Sequence, residues 1–488
     1  MSRKTSDFFF RWHLKFPRSE LFHVHNVSQM LLTFGVMLFA LAQAFIIGSK
    51  FNWLHVDADQ LLIAEQAKWI SRGLIFEPNF YGQNYLIPLD SYLSSILVLF
   101  GINPLHAVQV CTVFFFYAPF VVLVSIFQDK RFNLLVSLVL LLLFLPFKFL
   151  IVAQMPRAFT TIISIACLAL IWCLLRSNES TKKVSFALGV LFGICLGAFT
   201  GALLLAPALL LFKKKNVFIV GSLGCLLGFL LCKSSGLFYY LNPHYVVHTQ
   251  SVVTLSASDF LMNWMNPSIR TPILSLFLPG FLIIIYGHFR VPHLPRVARI
   301  QALLAFFGFL AVLFAMLATP KIRDFAPDSP FYSLERMLVG VPYFFVLMVV
   351  HLGSFEQKND VGFFQFKLPL ILSKKINTVL SILILLGLGI QIRRLNNFIL
   401  VNRDKMAGSP SPSQVKSIAH LREHCSALQE RYMHNKDVYL FFNGRDDAIV
   451  YGCSAFMGMP IVQAEYERRT WLVGYFENIG LKRIIHHP

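Results

Sequence analysis

The sequence predicts a polytopic α-helical membrane protein with about eleven transmembrane helices and a small C-terminal α/β domain outside the membrane. Three observations lead to this prediction. Of the 488 residues, 56% are hydrophobic and 14% are charged, whereas about half of a soluble domain is apolar and about a quarter is charged. Apolar runs of roughly 20 residues, the length that crosses a bilayer, recur along the chain. Basic residues fall between alternate runs, which is typical of cytoplasmic loops.

The predicted spans follow the apolar runs at 29–49, 106–127, 133–153, 158–176, 184–198, 200–213, 216–233, 271–289, 299–318, 336–354 and 376–394. The fifth and sixth belong to one long run that Thr200-Gly201 interrupts, which predicts a tight helical hairpin. The first 28 residues are basic and contain no short apolar segment with a cleavage site. We therefore expect the first span to be retained as an anchor.

Basic residues define the predicted orientation. The formal net charge is +19, which in a soluble protein suggests nucleic acid as a partner. We expect no nucleic-acid partner here, because these residues lie between apolar runs, where the positive-inside rule accounts for them. The N-terminal segment is then cytoplasmic and the C-terminal region is outside. The predicted inner loops carry Lys130-Arg131, Arg176 with Lys182-Lys183, Lys213-Lys214-Lys215, Arg290 with Arg296 and Arg299, and Lys374-Lys375.

The first outer loop, residues 50–105, is predicted to contain two surface helices. Residues 61–70 carry apolar side chains among polar ones, a pattern that indicates an amphipathic helix lying on the membrane. Residues 89–101 form a second apolar stretch that is too short for a span. Counting it as a span would also place Lys130-Arg131 outside, against the charge pattern.

The chain divides into a transmembrane domain (1–394), a linker (395–412) and a small outer domain (413–488). Pro and Gly in the segment from Ala407 to Pro412 discourage regular structure. A helix near 413–434 and a strand at 438–442 are expected beyond it. Two of the eight cysteines, Cys425 and Cys453, lie in this outer domain and either pair or stay free.

The acidic residues of His55-Val-Asp57-Ala-Asp59 follow the first span directly. Two carboxylates at a membrane surface can polarise an acceptor hydroxyl or hold a divalent cation. The alternative is structural, since Asp is a preferred N-cap before an apolar helix. The two interpretations are compatible, because a capping carboxylate is also rigidly placed.

Basic residues also lie at the predicted outer ends of spans. Lys148 and Arg157 flank the outer end of the third span, and Arg336 opens the tenth. Charges this close to a membrane core are expensive and either snorkel to the interface or have a function. Arginine presents a planar fork of donors that suits phosphate oxygens. A phosphate site is therefore one interpretation of these residues and snorkelling is the other.

The first outer loop also carries a recognisable series of residues: Asp57, Gly73, Tyr81-Gly-Gln83-Asn-Tyr85, Pro88-Leu89, Tyr92 and Phe100-Gly101. The series resembles the first outer loop of the GT-C superfamily, in the branch containing protein O-mannosyltransferases and the lipid A aminoarabinose transferase. In that branch an acid follows the first span, and Asp57 matches its position. The segments Leu196–Gly201 and Tyr332–Pro342 are similar to the family's glycine-rich break and to its outer Arg with a following Pro.

The resemblance implies an inverting glycosyltransferase, and we expect no cofactor. Its donor is a polyprenyl-phosphate sugar, its acceptor is a lipid, glycan or protein, and it is embedded in membrane lipid. Asp57 corresponds to the general base, and Asp59 or Glu65 to an assisting acid. The expected substrate-binding residues are Glu65, Tyr81, Gln83, Lys148, Arg157 and Arg336.

The chain departs from the family pattern in three places. One is an Asp position outside the third span, which falls here near Gln154-Met155-Pro156-Arg157. The family often has Asp-Glu where this chain has Asp57-Ala58, so that Asp59 is the candidate for the second acid. The family's Lys-Pro-Pro is replaced by Leu86-Ile87-Pro88, which removes a basic group that would meet the donor phosphate. The difference at Asp-Glu affects which acids act as a pair. The difference at Lys-Pro-Pro affects which residues contact the donor phosphate.

Two other functions fit parts of the sequence. A transporter or flippase for a lipid-linked glycan also needs many spans and phosphate-binding charges, but it needs no acidic pair on a helical outer loop. Transporters often contain internal repeats, and no clear repeat is present. A membrane scaffold would not require Asp57. The bacterial inner membrane is the expected location.

Overall fold

In a computed structural model, the chain is described at residues 27–76, 78–79, 86–126, 132–157, 159–175, 182–212, 215–241, 254–290, 295–324, 329–331, 333–354, 370–408, 415–432, 437–442, 447–463 and 475–486. Helices α1 to α9 are Val27–Ile47, Ala58–Ser71, Leu89–Leu99, Pro104–Ile126, Phe132–Leu143, Phe147–Ala153, Phe159–Leu175, Lys182–Ala198 and Lys215–Lys233. Helices α10 to α17 are Gly236–Leu241, Ala257–Met265, Pro267–Arg290, Arg296–Leu317, Gly340–Gly353, Leu370–Gly408, Ile418–Tyr432 and Asp447–Met457. Strands β1 to β5 are His55–Asp57, Val415–Ser417, Val438–Phe442, Ile461–Gln463 and Lys482–His486.

Seven helices in the described residues are long and apolar enough to cross a membrane. They are Met30–Asn52, Pro104–Val124, Val217–Leu241, Pro267–Ile285, Arg296–Leu317, Leu334–Gly353 and Thr378–Ala407. Helices α5 and α6 make an eighth span if taken together, although they are bent by 96° where Pro146 disfavours a helical residue before it. The predicted polytopic membrane fold is confirmed, and these eight coincide with eight of the predicted spans.

The three remaining predicted spans are short helices. α7 and α8 have 17 residues each, and Thr200–Leu211 form a 3-10 helix of 12 residues. A 3-10 helix rises about 2.0 Å per residue, so that this segment covers roughly 24 Å of a hydrocarbon core about 30 Å thick. Phe199, in an extended conformation, separates it from α8 at the predicted hairpin break.

Glycines allow α8 and α9 to pack backbone against backbone. A Cβ added at Gly193 would lie 2.0 Å from the Cys225 carbonyl oxygen, and one at Gly228 would lie 2.0 Å from the Val190 carbonyl oxygen. Small residues permit such close approach between helices in lipid. The other side of α9 is exposed and apolar, as a lipid-facing surface is, at Leu223, Leu226, Leu227, Leu230 and Leu231.

Hydrogen bonds sort the loops to two ends of the helical bundle. At one end, the Ile87 N–H donates to the Ala198 carbonyl at 3.2 Å, and β1 pairs with β2. At the other end, the Gln301 side chain donates to the Phe212 carbonyl at 2.9 Å. The first outer loop, the hairpin break and the C-terminal domain therefore lie at the same end of the bundle, as the placement of basic residues in alternate loops predicts. The compartment that each end faces stays a prediction.

Helix α2 contains the predicted amphipathic segment 61–70, but it does not lie free on a membrane surface. Residues 60–69 are all buried. One side of α2 packs on α3 and α4, and another packs on α17 of the C-terminal domain. The second predicted surface helix is α3.

The C-terminal domain has the expected mixed structure. β3 is the predicted strand and lies between β4 and β5 in a parallel sheet, while β2 pairs with β1 of the first outer loop. Cys425 of α16 and Cys453 of α17 form a disulfide.

The predicted linker is wrong for most of its length. Helix α15 runs without interruption from Leu370 to Gly408, so residues 395–408 are helical. Residues 395–407 contain no Pro or Gly, so this stretch holds no residue that stops a helix. Leu395 and Ile399 are fully buried, which gives the extension a packed face. Residues 409–414 lie outside the described residues.

Candidate active site

Asp57 ends β1 and caps α2. Its backbone is extended, with φ −113° and ψ 175°, and its Oδ1 accepts a hydrogen bond from the Gln60 N–H at 3.0 Å. This is the geometry of a helix N-cap, so the structural interpretation of Asp57 is confirmed. The residue is 1% exposed. Its carboxylate is therefore held in a single position at the start of the helix.

The Arg157 guanidinium lies between Asp57 and Asp59. Its Nη2 forms an ion pair with Asp57 Oδ2, and its Nη1 donates to Asp59 Oδ2 at 3.0 Å. The Arg157 side chain is 4% exposed and that of Asp59 is 45% exposed. An arginine partner favours the charged form of a carboxylate. Asp59 is the carboxylate of this cluster that faces the open side of the protein.

The fold changes the interpretation of Arg157. No acidic residue lies close to it in the sequence, and we expected its guanidinium to grip a lipid phosphate. The structure brings it to two aspartates, the nearer of which in sequence is 98 residues away. The guanidinium bridges the two carboxylates, and the divalent cation that the sequence allows there stays a prediction.

A second charged cluster joins α6 to the short 3-10 helix Leu334–Arg336. Lys148 Nζ lies 3.3 Å from Glu335 Oε1, with the two side chains 21% and 7% exposed. The Ser333 hydroxyl donates to the Glu335 carboxylate and accepts from the Glu335 N–H at 3.3 Å. Arg336 follows directly, and its Nη1 lies 3.5 Å from the Phe331 carbonyl oxygen. Lys148 therefore pairs with a buried acid, and Arg336 is the residue that follows that acid in the sequence.

Aromatic side chains connect this second cluster to the first. The Arg336 guanidinium lies over the Phe159 ring, 5.7 Å from its centroid, and Phe159 follows Arg157 by two residues. The Phe159 ring lies 4.5 Å from the Phe199 ring in the hairpin break. The hydrogen bond from the Ile87 N–H to the Ala198 carbonyl places the first outer loop beside the hairpin break. Four segments singled out in the sequence therefore meet at one end of the bundle.

Three predicted site residues are not in these clusters. Glu65 is buried in α2, where its Oε1 lies 3.5 Å from Trp69 Nε1. Eight residues of α-helix put it about 12 Å along the axis from Asp57, so the structure does not bring Glu65 to the Arg157 cluster. Tyr81 and Gln83 lie outside the described residues, and their roles stay predictions.

Sequence reasoning missed Glu335 and a group of buried amides. Glu335 stands next to a predicted site arginine, and that adjacency could have indicated it. The Gln154 side chain donates to the Tyr117 hydroxyl at 2.9 Å, which donates to Gln43 Oε1 at 2.7 Å. Polar residues inside apolar runs were the available clue. They tie α1 and α4 to the segment that carries Arg157.

His55 lies two residues before Asp57. Burial and the nearby Arg403 lower the pKa of its imidazole, and Asp404 raises it less. The net lowering keeps the ring neutral at neutral pH. His55 therefore adds no positive charge beside the carboxylates.

Comparisons with known proteins show a likeness in the overall fold. No protein-family model matches the chain, and no curated protein matches it. Two solved structures do, both of ArnT, the lipid A aminoarabinose transferase, from Cupriavidus metallidurans. The crystal structure bound to undecaprenyl phosphate has a TM-score of 0.51 and 10% identity. The apo crystal structure has a TM-score of 0.50 and 12% identity.

Each alignment covers 92% of this chain and 89% of the ArnT chain. At this identity the likeness concerns the fold and does not transfer residue roles. The predicted resemblance to the protein O-mannosyltransferases stays a prediction. The resemblance to the aminoarabinose transferase is confirmed, because the chain shares the membrane fold of ArnT, a GT-C glycosyltransferase, over nearly its whole length.

Proposed function

We propose that this protein is a membrane glycosyltransferase that moves a sugar from a polyprenyl-phosphate donor to an acceptor on the outer side of the membrane. The observation that carries the proposal is the meeting of Asp57, Asp59 and Arg157 with the Lys148–Glu335–Arg336 cluster at one end of an ArnT-like fold. ArnT itself was crystallised with undecaprenyl phosphate, a lipid of the proposed donor class.

The reaction divides between the two clusters. An acceptor nucleophile attacks the anomeric carbon as the bond from that carbon to the phosphate oxygen breaks, which inverts the configuration. The acceptor's proton passes to Asp57, with Asp59 assisting at the open side. The polyprenyl phosphate leaves with the bonding electrons, and Arg336 and Lys148 stabilise its charge. Arg157 acts as a positioning residue that holds the two carboxylates.

The surroundings of the site are part of the proposal. The proposed location is the bacterial inner membrane, with the N-terminus in the cytoplasm and the C-terminal domain in the periplasm. Disulfides persist in oxidising compartments, and the Cys425–Cys453 bond supports an outer position for that domain. The acceptor is a lipid, glycan or protein presented there.

A transporter or flippase is the alternative, and the site does not favour it. Binding of a lipid phosphate would use Arg336 and Lys148 equally well. It would not require two carboxylates shared by one buried arginine. A variant that lacks the Asp57 carboxylate therefore distinguishes the two proposals, because only the transferase needs a general base there.

The test is Asp57→Asn. Asn is an equally good N-cap. Breaking the buried ion pair with Arg157 lowers stability, but Asp59 remains to pair with the guanidinium, so we expect a folded and membrane-inserted protein. Loss of a general base costs roughly a hundredfold to ten-thousandfold in rate. Turnover is measured as the release of undecaprenyl phosphate in envelope extract from a deletion strain, which supplies donor and acceptor together.

Asp59→Asn serves as the comparison variant and should be less severe, because the proposal makes Asp59 the assisting acid. Protein amount in the membrane is measured for both variants. If Asp57→Asn restored the envelope glycans of the deletion strain at normal protein levels, Asp57 would only cap the helix. The transporter would then be the better explanation.

A further inference from the structure

The C-terminal domain holds α2, the helix that Asp57 caps, at both of its ends. At the N-terminal end, β1 pairs antiparallel with β2, and Asp57 lies opposite Val415. At the C-terminal end, Lys68 Nζ donates to the Ser454 carbonyl oxygen at 2.7 Å. The proposed base therefore lies in a segment whose backbone is bonded to a domain more than 350 residues away in sequence.

Lys68 is buried because the domain covers it. Only 5% of its surface is exposed. Burial lowers the pKa of Lys68 to about 8, while Glu65 raises it and Arg72 lowers it. A buried ammonium is costly unless it is hydrogen-bonded, which the Ser454 carbonyl provides. Next to it, Trp69 packs in a cluster with three aromatic residues of the C-terminal domain, Tyr439, Phe441 and Phe476.

The disulfide closes these contacts into a ring. β2 leads directly into α16, which carries Cys425. The bond to Cys453 connects α16 to α17, and Ser454 is the next residue. The ring runs from β1 through β2, α16, the disulfide and α17, and returns to α2 at Lys68. Loosening one of these contacts weakens the hold of the domain on α2.

We infer that the C-terminal domain positions Asp57 for catalysis, and that Lys68 and the Cys425–Cys453 disulfide transmit its docking to α2. This inference rests on the proposed transferase function. It gives the domain a role in every turnover, whichever acceptor is bound. A displacement of about 1 Å in a catalytic arrangement can cost roughly a hundredfold in rate, so a modest loosening of α2 is sufficient.

The test is Lys68→Met in the purified full-length protein. Met keeps the apolar stem and removes the donor. We expect hydrogen exchange over residues 54–71 to quicken about tenfold or more, and kcat to fall about tenfold to a hundredfold. With release of undecaprenyl phosphate in envelope extract as the assay, the amount of extract that gives half-maximal turnover should stay within about twofold, because the phosphate-binding cluster is untouched. Lys68→Arg should restore most of both values.

Lys482→Met is the matched control, since Lys482 is an exposed lysine on β5 of the same domain. It should change neither exchange over 54–71 nor turnover. Should Lys68→Met fail to fold, the double variant Cys425→Ser/Cys453→Ser opens the ring elsewhere, and the same exchange and turnover changes are expected.

Unchanged exchange, or faster exchange with unchanged kcat, would overturn the positioning role. A different result would count against the proposed function: wild-type protein that releases no undecaprenyl phosphate from the envelope extract. The exchange measurement would still show whether the domain holds α2. The two failures are therefore distinguishable.

Discussion

At the scale of single residues, the basic side chains of the two clusters differ in how deeply they are buried. Arg157 is 4% exposed and bound by two aspartates, whereas Lys148 is 21% exposed and Arg336 is half-buried. Breaking a buried ion pair from one side costs about 3–5 kcal/mol. A change at Arg157 would therefore confound folding with function. Arg336 is the better residue for testing the proposed phosphate contact.

We predict that Arg336→Ala weakens use of the donor more than it harms folding. A hydrogen bond to a charged group contributes about 1.5–3 kcal/mol, which corresponds to a rise of roughly tenfold to a hundredfold in the KM for the lipid-linked sugar. The thermal stability of the detergent-solubilised protein should fall only slightly, since the side chain is half-buried. Turnover against donor concentration and a melting curve measure both quantities.

Arg323→Ala is the control, because Arg323 is a more exposed arginine that pairs with Asp259 away from the two clusters. It should leave the donor KM unchanged. An unchanged KM in Arg336→Ala as well would remove Arg336 from the phosphate site.

At the scale of elements, helix packing in lipid depends on how closely backbones approach. We predict that Gly193→Ala destabilises the protein, because the new methyl group would meet the Cys225 carbonyl at 2.0 Å. Forcing extra volume into a packed interface costs about 1–3 kcal/mol. The melting temperature in detergent measures this effect.

Gly221→Ala provides a matched control in the same pair of helices. A Cβ added there would lie 3.7 Å from the Ser185 carbonyl oxygen and 3.8 Å from the Phe212 ring, which is ordinary contact. We expect its melting temperature to match that of the wild type. Equal loss in the two variants would mean that close packing at Gly193 is not the cause.

At the scale of the whole molecule, we predict that Asp57 and the C-terminal domain face the outside and that Lys214 faces the cytoplasm. The contacts already place the first outer loop and the C-terminal domain at one end of the bundle. The basic inner loops supply the direction. A membrane-impermeant thiol reagent applied to intact cells should label Glu430→Cys, and should label Lys214→Cys only after permeabilisation.

The protein without an added cysteine is the control for labelling of the native cysteines. Apart from the disulfide pair, they are buried or half-buried, and we expect little labelling of them. The opposite pattern, with position 214 labelled and position 430 protected, would reverse the orientation and exclude an outer active site.

The amino-acid sequence by itself determined the membrane class, the positions of the main spans and which loops share one end of the helical bundle. These features follow from local properties, namely the length of apolar runs and the placement of basic residues between them. The strand at 438–442 and the cap at Asp57 are local in the same sense. The same local reasoning put a linker where α15 continues, because its packed face at Leu395 and Ile399 is a tertiary feature.

Only the tertiary structure decided which charges are partners. Arg157 and Asp57 are 100 residues apart in sequence, and Lys148 and Glu335 are further apart still. The burial of α2 was decided in the same way, by a domain at the opposite end of the chain. An ion pair or a buried surface depends on distances in space, and periodicity along the sequence carries no record of distances between remote segments.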